Sequence, residues 1–225
     1  MPRQLTFDLP VRPALGREDF FVSPSNAEAV AMIDAPTLWP GRKLLLIGPE
    51  GAGKSHLAEV FAQERRAMIV AGGDLFYLFD IEKLPDAVVV EDAEKVAGRH
   101  EETLFHLHNR MAETGGLLLL TAGGAPGEWG LRLPDLLSRM QGTAVAKLNP
   151  PDDALLGAVL VKLFADRQIS VAPTLIDWLL PRMDRSFAAA RRLVAELDAR
   201  ALAKGGAVTR ALAAEVLDSA RPDAP

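Results

Sequence analysis

A mostly parallel α/β sheet covered by helices on both faces, followed by a small helical bundle, is the fold class this 225-residue sequence predicts. Three observations predict it. Short, largely non-alternating apolar runs recur at 44–47, 67–70, 87–90 and 117–121, with helix-compatible segments between them, the pattern of strands buried on both faces. The first run leads directly into Gly48-Pro49-Glu50-Gly51-Ala52-Gly53-Lys54-Ser55, a glycine loop that opens a helix. Past Asn149-Pro150-Pro151-Asp152 strand-like runs stop and only helical spacing remains.

In chain order, residues 1–18 are polar, carry Pro10 and Pro13, and read as a mobile arm with a short extended segment. Ser25 or Asn26 can cap a helix reaching about Met32, and Pro36, Pro40 and Gly41 form the turn before the first strand. The helix opened by Lys54 runs to about Glu64 and buries Leu57, Val60 and Phe61. A further helical segment is expected from Gly72 through Phe79, and a longer one over 101–114 with Leu104, Leu107, His108 and Met111 on one face. Helices are then predicted over 152–168, 174–182, 186–203 and 209–220, with joints at Pro173 and Gly205-Gly206. The domains expected are an arm (1–18), a nucleotide-binding α/β body (19–149) and a helical lid (150–225).

Composition narrows the function classes. Without cysteine the chain forms neither disulfides nor thiolate metal sites, which fits a reducing compartment, and the four histidines are too scattered to suggest a metal centre. No apolar run approaches the roughly 20 residues that span a bilayer, so a cytoplasmic protein away from membranes is expected. The formal net charge of −5 and the lack of any basic block argue against a chain whose main work is gripping a nucleic-acid backbone.

The glycine loop carries the strongest chemical signal. Glycines let successive backbone N–H groups converge on a β-phosphate at a helix N-terminus, Lys54 reaches the β- and γ-phosphates, and Ser55 offers a hydroxyl to Mg²⁺. The run 86–90 ends in Glu91-Asp92, where one carboxylate can serve a metal and the next can polarise an attacking water; Asp92 equally fits an N-cap. Arg139, beyond the last predicted strand, fits an arginine that reaches the γ-phosphate of a neighbouring subunit, and on spacing alone also a solvated surface position. In the arm, Gln4, Leu5, Phe7 and Leu9 offer three apolar anchors and an amide to a partner's pocket, or a strand that folds back on the sheet. Three such side chains yield about 1.5–3 kcal/mol each, against an association cost of about 4–15 kcal/mol, so one copy binds weakly and a ring with repeated pockets suits it.

Together these residues resemble the AAA+ family of the bacterial replication initiator DnaA, and more closely its short regulatory inactivators, the Hda subfamily. His56-Leu57 after the glycine loop, Phe21 to Asn26, Ser138-Arg139-Met140 and Asp184-Arg185-Ser186 carry the resemblance, which covers nearly the whole chain. It implies an ADP or ATP site with Mg²⁺, formed by Phe21 and Asn26 on the adenine side and by Pro49, Glu50, Gly51, Ala52, Gly53, Lys54, Ser55 and His56 around the phosphates. Ser55 and Glu91 are then on the metal, and Glu91, Asp92 and Arg139 in catalytic roles. Gln4, Leu5, Phe7 and Leu9 match the arm with which inactivators bind the DNA polymerase sliding clamp. The implied partners are the clamp and the initiator, with a homodimer as a further option and little direct DNA binding; the helix-turn-helix domain of full-length initiators is not expected before Pro225.

Three positions depart from the family pattern. Glu91 stands where an aspartate is usual, the first-sensor aspartate falls on Gly123, and the second-sensor arginine falls on Ala188 or Ala189, with Arg185 and Arg191 as substitutes. Losing charged donors costs hydrolysis more than diphosphate binding, so a weak ATPase is expected that stimulates ATP hydrolysis by the initiator. The alternatives are an autonomous AAA+ loader or remodeller, and a clamp-binding adaptor with a vestigial nucleotide site.

Overall fold

The computed structural model describes residues 21–77 and 83–219. Five strands, β1 (Lys43–Ile47), β2 (Met68–Ala71), β3 (Ala87–Glu91), β4 (Leu117–Ala122) and β5 (Ala144–Lys147), form one sheet in the order β2-β3-β4-β1-β5, with every pairing parallel. The three interior strands, β3, β4 and β1, are aliphatic throughout their middles because both faces are covered, which is why their sequences do not alternate. Side-chain parity divides them. Leu44 and Leu46, with Val89 and Leu119, pack beneath α1 (Ala27–Asp34) and α2 (Lys54–Arg65), where Phe61 stacks on Trp39 at 5.3 Å. Leu45, Val88, Val90, Leu118 and Leu120 face α3 (Glu101–Thr114) and α4 (Pro134–Gln141), meeting Leu104, Leu107, Met111, Leu136 and Met140.

The sequence does not announce β5. Its four residues sit at a sheet edge with only Ala146 buried, so their short Ala-Val-Ala-Lys run lacks the apolar density of a central strand. The helix expected from Gly72 is, over the described residues, a 3₁₀ run at Gly72–Tyr77. Gly72 lies so close to the Asp92 carbonyl that a Cβ there would collide with it.

The C-terminal part is helical: α5 (Asp153–Asp166), α6 (Pro173–Leu179), α7 (Phe187–Lys204) and α8 (Arg210–Ser219). It owns a separate core, including Leu156, Leu160, Phe164, Leu179, Val194, Leu197 and Val216. Asp152 caps α5 and Ser186 caps α7, through bonds from the Leu155 and Ala189 N–H groups at 2.8 and 3.0 Å. Among the described residues, no helix is long and apolar enough to cross a membrane.

Candidate functional site

The glycine loop leaves the sheet at the carboxyl end of β1, between its two neighbours. Gly48 donates its N–H to the Ala122 carbonyl (3.2 Å), and Leu148 donates to that of Ile47 (2.8 Å). A Cβ on Gly48 would stand 2.5 Å from the Leu148 oxygen, so only glycine permits this close passage past β5. Gly51 and Gly53 adopt φ of +74° and +100°, the left-handed conformations that let the loop curl into α2. Lys54 arches back over the loop, its Nζ donating to the carbonyls of Gly48 (2.7 Å) and Pro49 (3.0 Å).

Unlike α5 and α7, α2 has no side chain at its N-terminus to take up its first amides, since the capping position is Gly53. Its uncapped donors, the partial positive charge of the helix and the Lys54 ammonium converge on one concavity, chemistry suited to a phosphate anion. Pro49 and Glu50 are exposed on the loop's rim, Ala52 is buried at its base, Ser55 is exposed on the first helical turn, and His56 is half-buried behind it.

The helical part closes against this loop. Phe187 donates its N–H to the Gly51 carbonyl (3.0 Å). The Ser186 Cβ lies 2.7 Å from where a Cβ of Gly51 would be, and the Phe187 ring 3.0 Å from that of Gly53. The loop's glycines are therefore required twice, for backbone curvature and for the approach of α7. Ala188, 3.5 Å from the same Gly51 position, brings only a methyl group to the loop. Arg185 pairs with Asp153 (2.8 Å) across the start of the helical part, and Arg191 is exposed one turn beyond Phe187. Asn26 is buried. Its amide donates to the Phe21 carbonyl (2.9 Å) and accepts from the Ser23 N–H (2.8 Å), folding 21–26 into a tight corner that Asn149 joins through Ser25 (3.3 Å). Beside it, the Asp152 carboxyl is held below the usual carboxylate range, first by the Leu155 N–H and then, against the opposing cost of burial, by Ser23 and Ser25.

At the carboxyl end of β3, Glu91 keeps Oε1 buried without a hydrogen-bond partner. Together with the Ser55 hydroxyl, this unsatisfied carboxylate oxygen fits a divalent cation that takes most of its remaining ligands from phosphate and water. Among the described residues no three or more His, Cys, Asp or Glu side chains assemble into a protein-only metal site. Asp92 makes no capping bond; it sits at φ +50°, donates its N–H to the Thr121 hydroxyl oxygen (3.1 Å) and pairs its carboxylate with Lys95 (2.6 Å). Sequence reasoning missed Glu94. Its Oε1 accepts from the Gly123 N–H (2.9 Å) and occupies the direction in which a side chain at Gly123 would point, while its Oε2 is buried without a partner. No local pattern signals it, because the juxtaposition spans 29 residues.

Arg139 is exposed on α4, and its carbonyl accepts the hydroxyl of Thr143 (2.9 Å), the residue before Ala144, which registers with Leu44; this brings Arg139 beside Lys43, the first residue of β1, whose ammonium its charge pushes down. That is the amino end of the strand, roughly 15 Å of extended chain from the loop. The Gln4, Leu5, Phe7 and Leu9 segment lies outside the described residues.

No family model matches this chain. It is 27% identical over 261 aligned positions to the chromosomal replication initiator DnaA of Sphingopyxis alaskensis, covering 96% of this chain and 57% of the relative. A second initiator, from Bacteroides thetaiotaomicron, is 27% identical over 192 positions and is matched over 39% of its length, so the chain spans about half or less of these relatives. In fold it is similar to domain III of the Thermotoga maritima initiator, with a TM-score of 0.80 at 20% identity over 94% of this chain and 98% of that one. It also superposes on the Thermotoga maritima RuvB Holliday-junction branch-migration motor, with a TM-score of 0.71 at 16% identity over 95% of this chain and 74% of the motor.

Proposed function

We propose, from an AAA+-like fold related to that of DnaA, that this chain binds ADP or ATP with Mg²⁺ in the Gly48–Ser55 loop and works by assembling with another AAA+ subunit. The uncapped, glycine-lined start of α2 beneath Lys54 carries this reading. The bound Mg²⁺ would neutralise phosphate charge, with Ser55 and Glu91 holding it. The 19–149 body holds the phosphates, and the 150–225 lid presses Ser186 and Phe187 on the loop. Nucleotide occupancy and lid position are thereby linked. Titration calorimetry with ADP is expected to show one site per chain, and no heat together with no thermal stabilisation would reject the reading.

Arg139 supports the assembly reading: an exposed arginine at the far end of β1, away from its own glycine loop, suits a nucleotide held by a neighbour. Self-assembly makes the protein an autonomous ATPase of the loader or remodeller kind. A second reading is favoured by Gly123 and Ala188, which offer no charged group where hydrolysis would use one. In it, the chain is a weak ATPase that stimulates the initiator's hydrolysis, with Gln4, Leu5, Phe7 and Leu9 docked on a sliding clamp. Phosphate release by the purified protein alone, against release with clamp on DNA and ATP-charged initiator, separates the two. Under the second reading Arg139→Ala keeps ADP affinity and abolishes stimulation, while Gln4→Ala with Leu5→Ala abolishes clamp retention and leaves ADP binding unchanged.

A further inference from the structure

The amino end of β1 collects positive charge that no carboxylate among the described residues pairs with. Lys43 opens the strand with the parity of Leu45, so its side chain enters the layer beneath α3 and α4, and the residue is only 6% exposed. Its Nζ donates to the Gly41 carbonyl at a long 3.3 Å. Burial first, and the Arg139 charge second, push its ammonium below the ordinary lysine range. His108 on α3 is also 6% exposed, and its Nδ1 is buried without a partner. Burial, then Lys43, then Arg139 push this imidazole down to about 4, with Asn109 opposing, so at neutral pH it is uncharged and adds no third cation.

Among the described residues, neither Lys43 nor Arg139 has a carboxylate within salt-bridge distance, although the chain carries five more acidic than basic residues. A desolvated lysine next to an arginine costs free energy in the isolated chain. For such an arrangement an anion arriving from outside is the natural complement, and a planar guanidinium with a point charge behind it suits phosphate.

We infer that Lys43 is a positioning residue for Arg139, its buried charge holding the guanidinium out toward solvent and adding to the field that receives a polyphosphate presented by another molecule. The inference rests on the assembly reading above and extends it to a residue of the sheet itself. Lys43 does not touch the anion; it acts through the arginine and through space.

The test uses the full chain with its own loop saturated by ADP, after an ADP titration has shown that the loop is occupied. Failure of that first titration overturns the nucleotide reading and not this one. Inorganic tripolyphosphate is then titrated in, followed by calorimetry and by the His108 imidazole resonances. Wild type is expected to bind one tripolyphosphate per chain and Arg139→Ala none. Lys43→Met, which removes the charge but keeps the length, is expected to weaken binding about tenfold, the scale of one nearby charge in a partly screened site. Lys43→Arg restores binding, whereas the melting temperature of Lys43→Met is unchanged or higher because a buried charge has gone. Equal affinity of wild type and Lys43→Met, or no tripolyphosphate binding by wild type, would overturn the inference.

Discussion

The two ends of β1 deal with charge in opposite ways. At the carboxyl end, positive potential comes from backbone amides, a helix terminus and a mobile-length lysine that satisfies itself on two loop carbonyls. At the amino end it comes from whole side-chain charges, one of them nearly buried, close to an imidazole that burial first, and those charges second, keep neutral. Partial charges made from backbone can wait without a ligand at little cost, because they belong to peptide groups that the fold orients anyway. Full charges in a desolvated setting cannot, and among these two only Arg139 reaches solvent. The contrast teaches that one strand can carry two kinds of positive potential at its two ends, and under the proposed function the first holds a ligand and the second acts on a neighbour's.

The largest expected effect on ligand binding falls on the carboxyl end. For wild type, ADP at about 100 times its Kd adds about 2.7 kcal/mol of stability, a rise of about 5–10 °C in melting temperature for a chain of this size. Lys54→Ala is expected to abolish most of that rise in a thermal-shift series while leaving the melting temperature without ADP nearly unchanged; a retained shift would erase the distinction between the two ends.

Next comes the support of the amino end. Glu101 is buried and accepts three backbone N–H groups, from Gly98 (2.7 Å), Arg132 (2.8 Å) and Leu133 (2.7 Å), pinning the segment that leads into α4 and Arg139. Burial raises its pKa, yet the Gly98, Leu133 and Arg132 donors together outweigh that and hold it below the ordinary range. Glu101→Ala orphans all three donors and is expected to cost about 3–5 kcal/mol in urea unfolding. Because the folded-state carboxyl is depressed, its stabilisation is full above its ordinary pKa and is lost as pH falls through the folded value.

The smallest effect sharpens the amino end. The folded protein holds His108 neutral down to about pH 4, whereas the unfolded chain takes up a proton near 6.5. Stability should therefore fall as pH drops from about 6.5 to about 4 and be level above that window with respect to this group. His108→Phe is expected to flatten that part of the melting-temperature profile, and Lys43→Met to raise the imidazole's titration point when followed by NMR.

Much of this molecule was legible from local pattern. The glycine loop, the central strands, the long face of α3 and the helical C-terminal part each announce themselves within a dozen residues, because backbone geometry and two-sided burial dictate residue type locally. The edge strand β5 escaped because half-burial demands little of its residues, and Glu94 escaped because its partner Gly123 lies 29 residues away, just past β4. His108 was placed on the correct face of α3 as one more core position, and nothing in the sequence foretold a lysine beneath it.

By itself, then, the sequence determined a parallel α/β layer with a glycine loop at the end of its first strand, since continuous apolar runs call for burial on both faces and Gly51 and Gly53 supply the positive φ that the turn into α2 requires. Only the tertiary structure decided that Ser186 and Phe187 close on Gly51 and Gly53, that Glu94 fills the space beside Gly123, and that Lys43, His108 and Arg139 meet at the opposite end. The physical reason is sequence separation: these contacts join residues tens to more than a hundred positions apart, and their energies come from burial and charge that exist only once the sheet has brought the elements together.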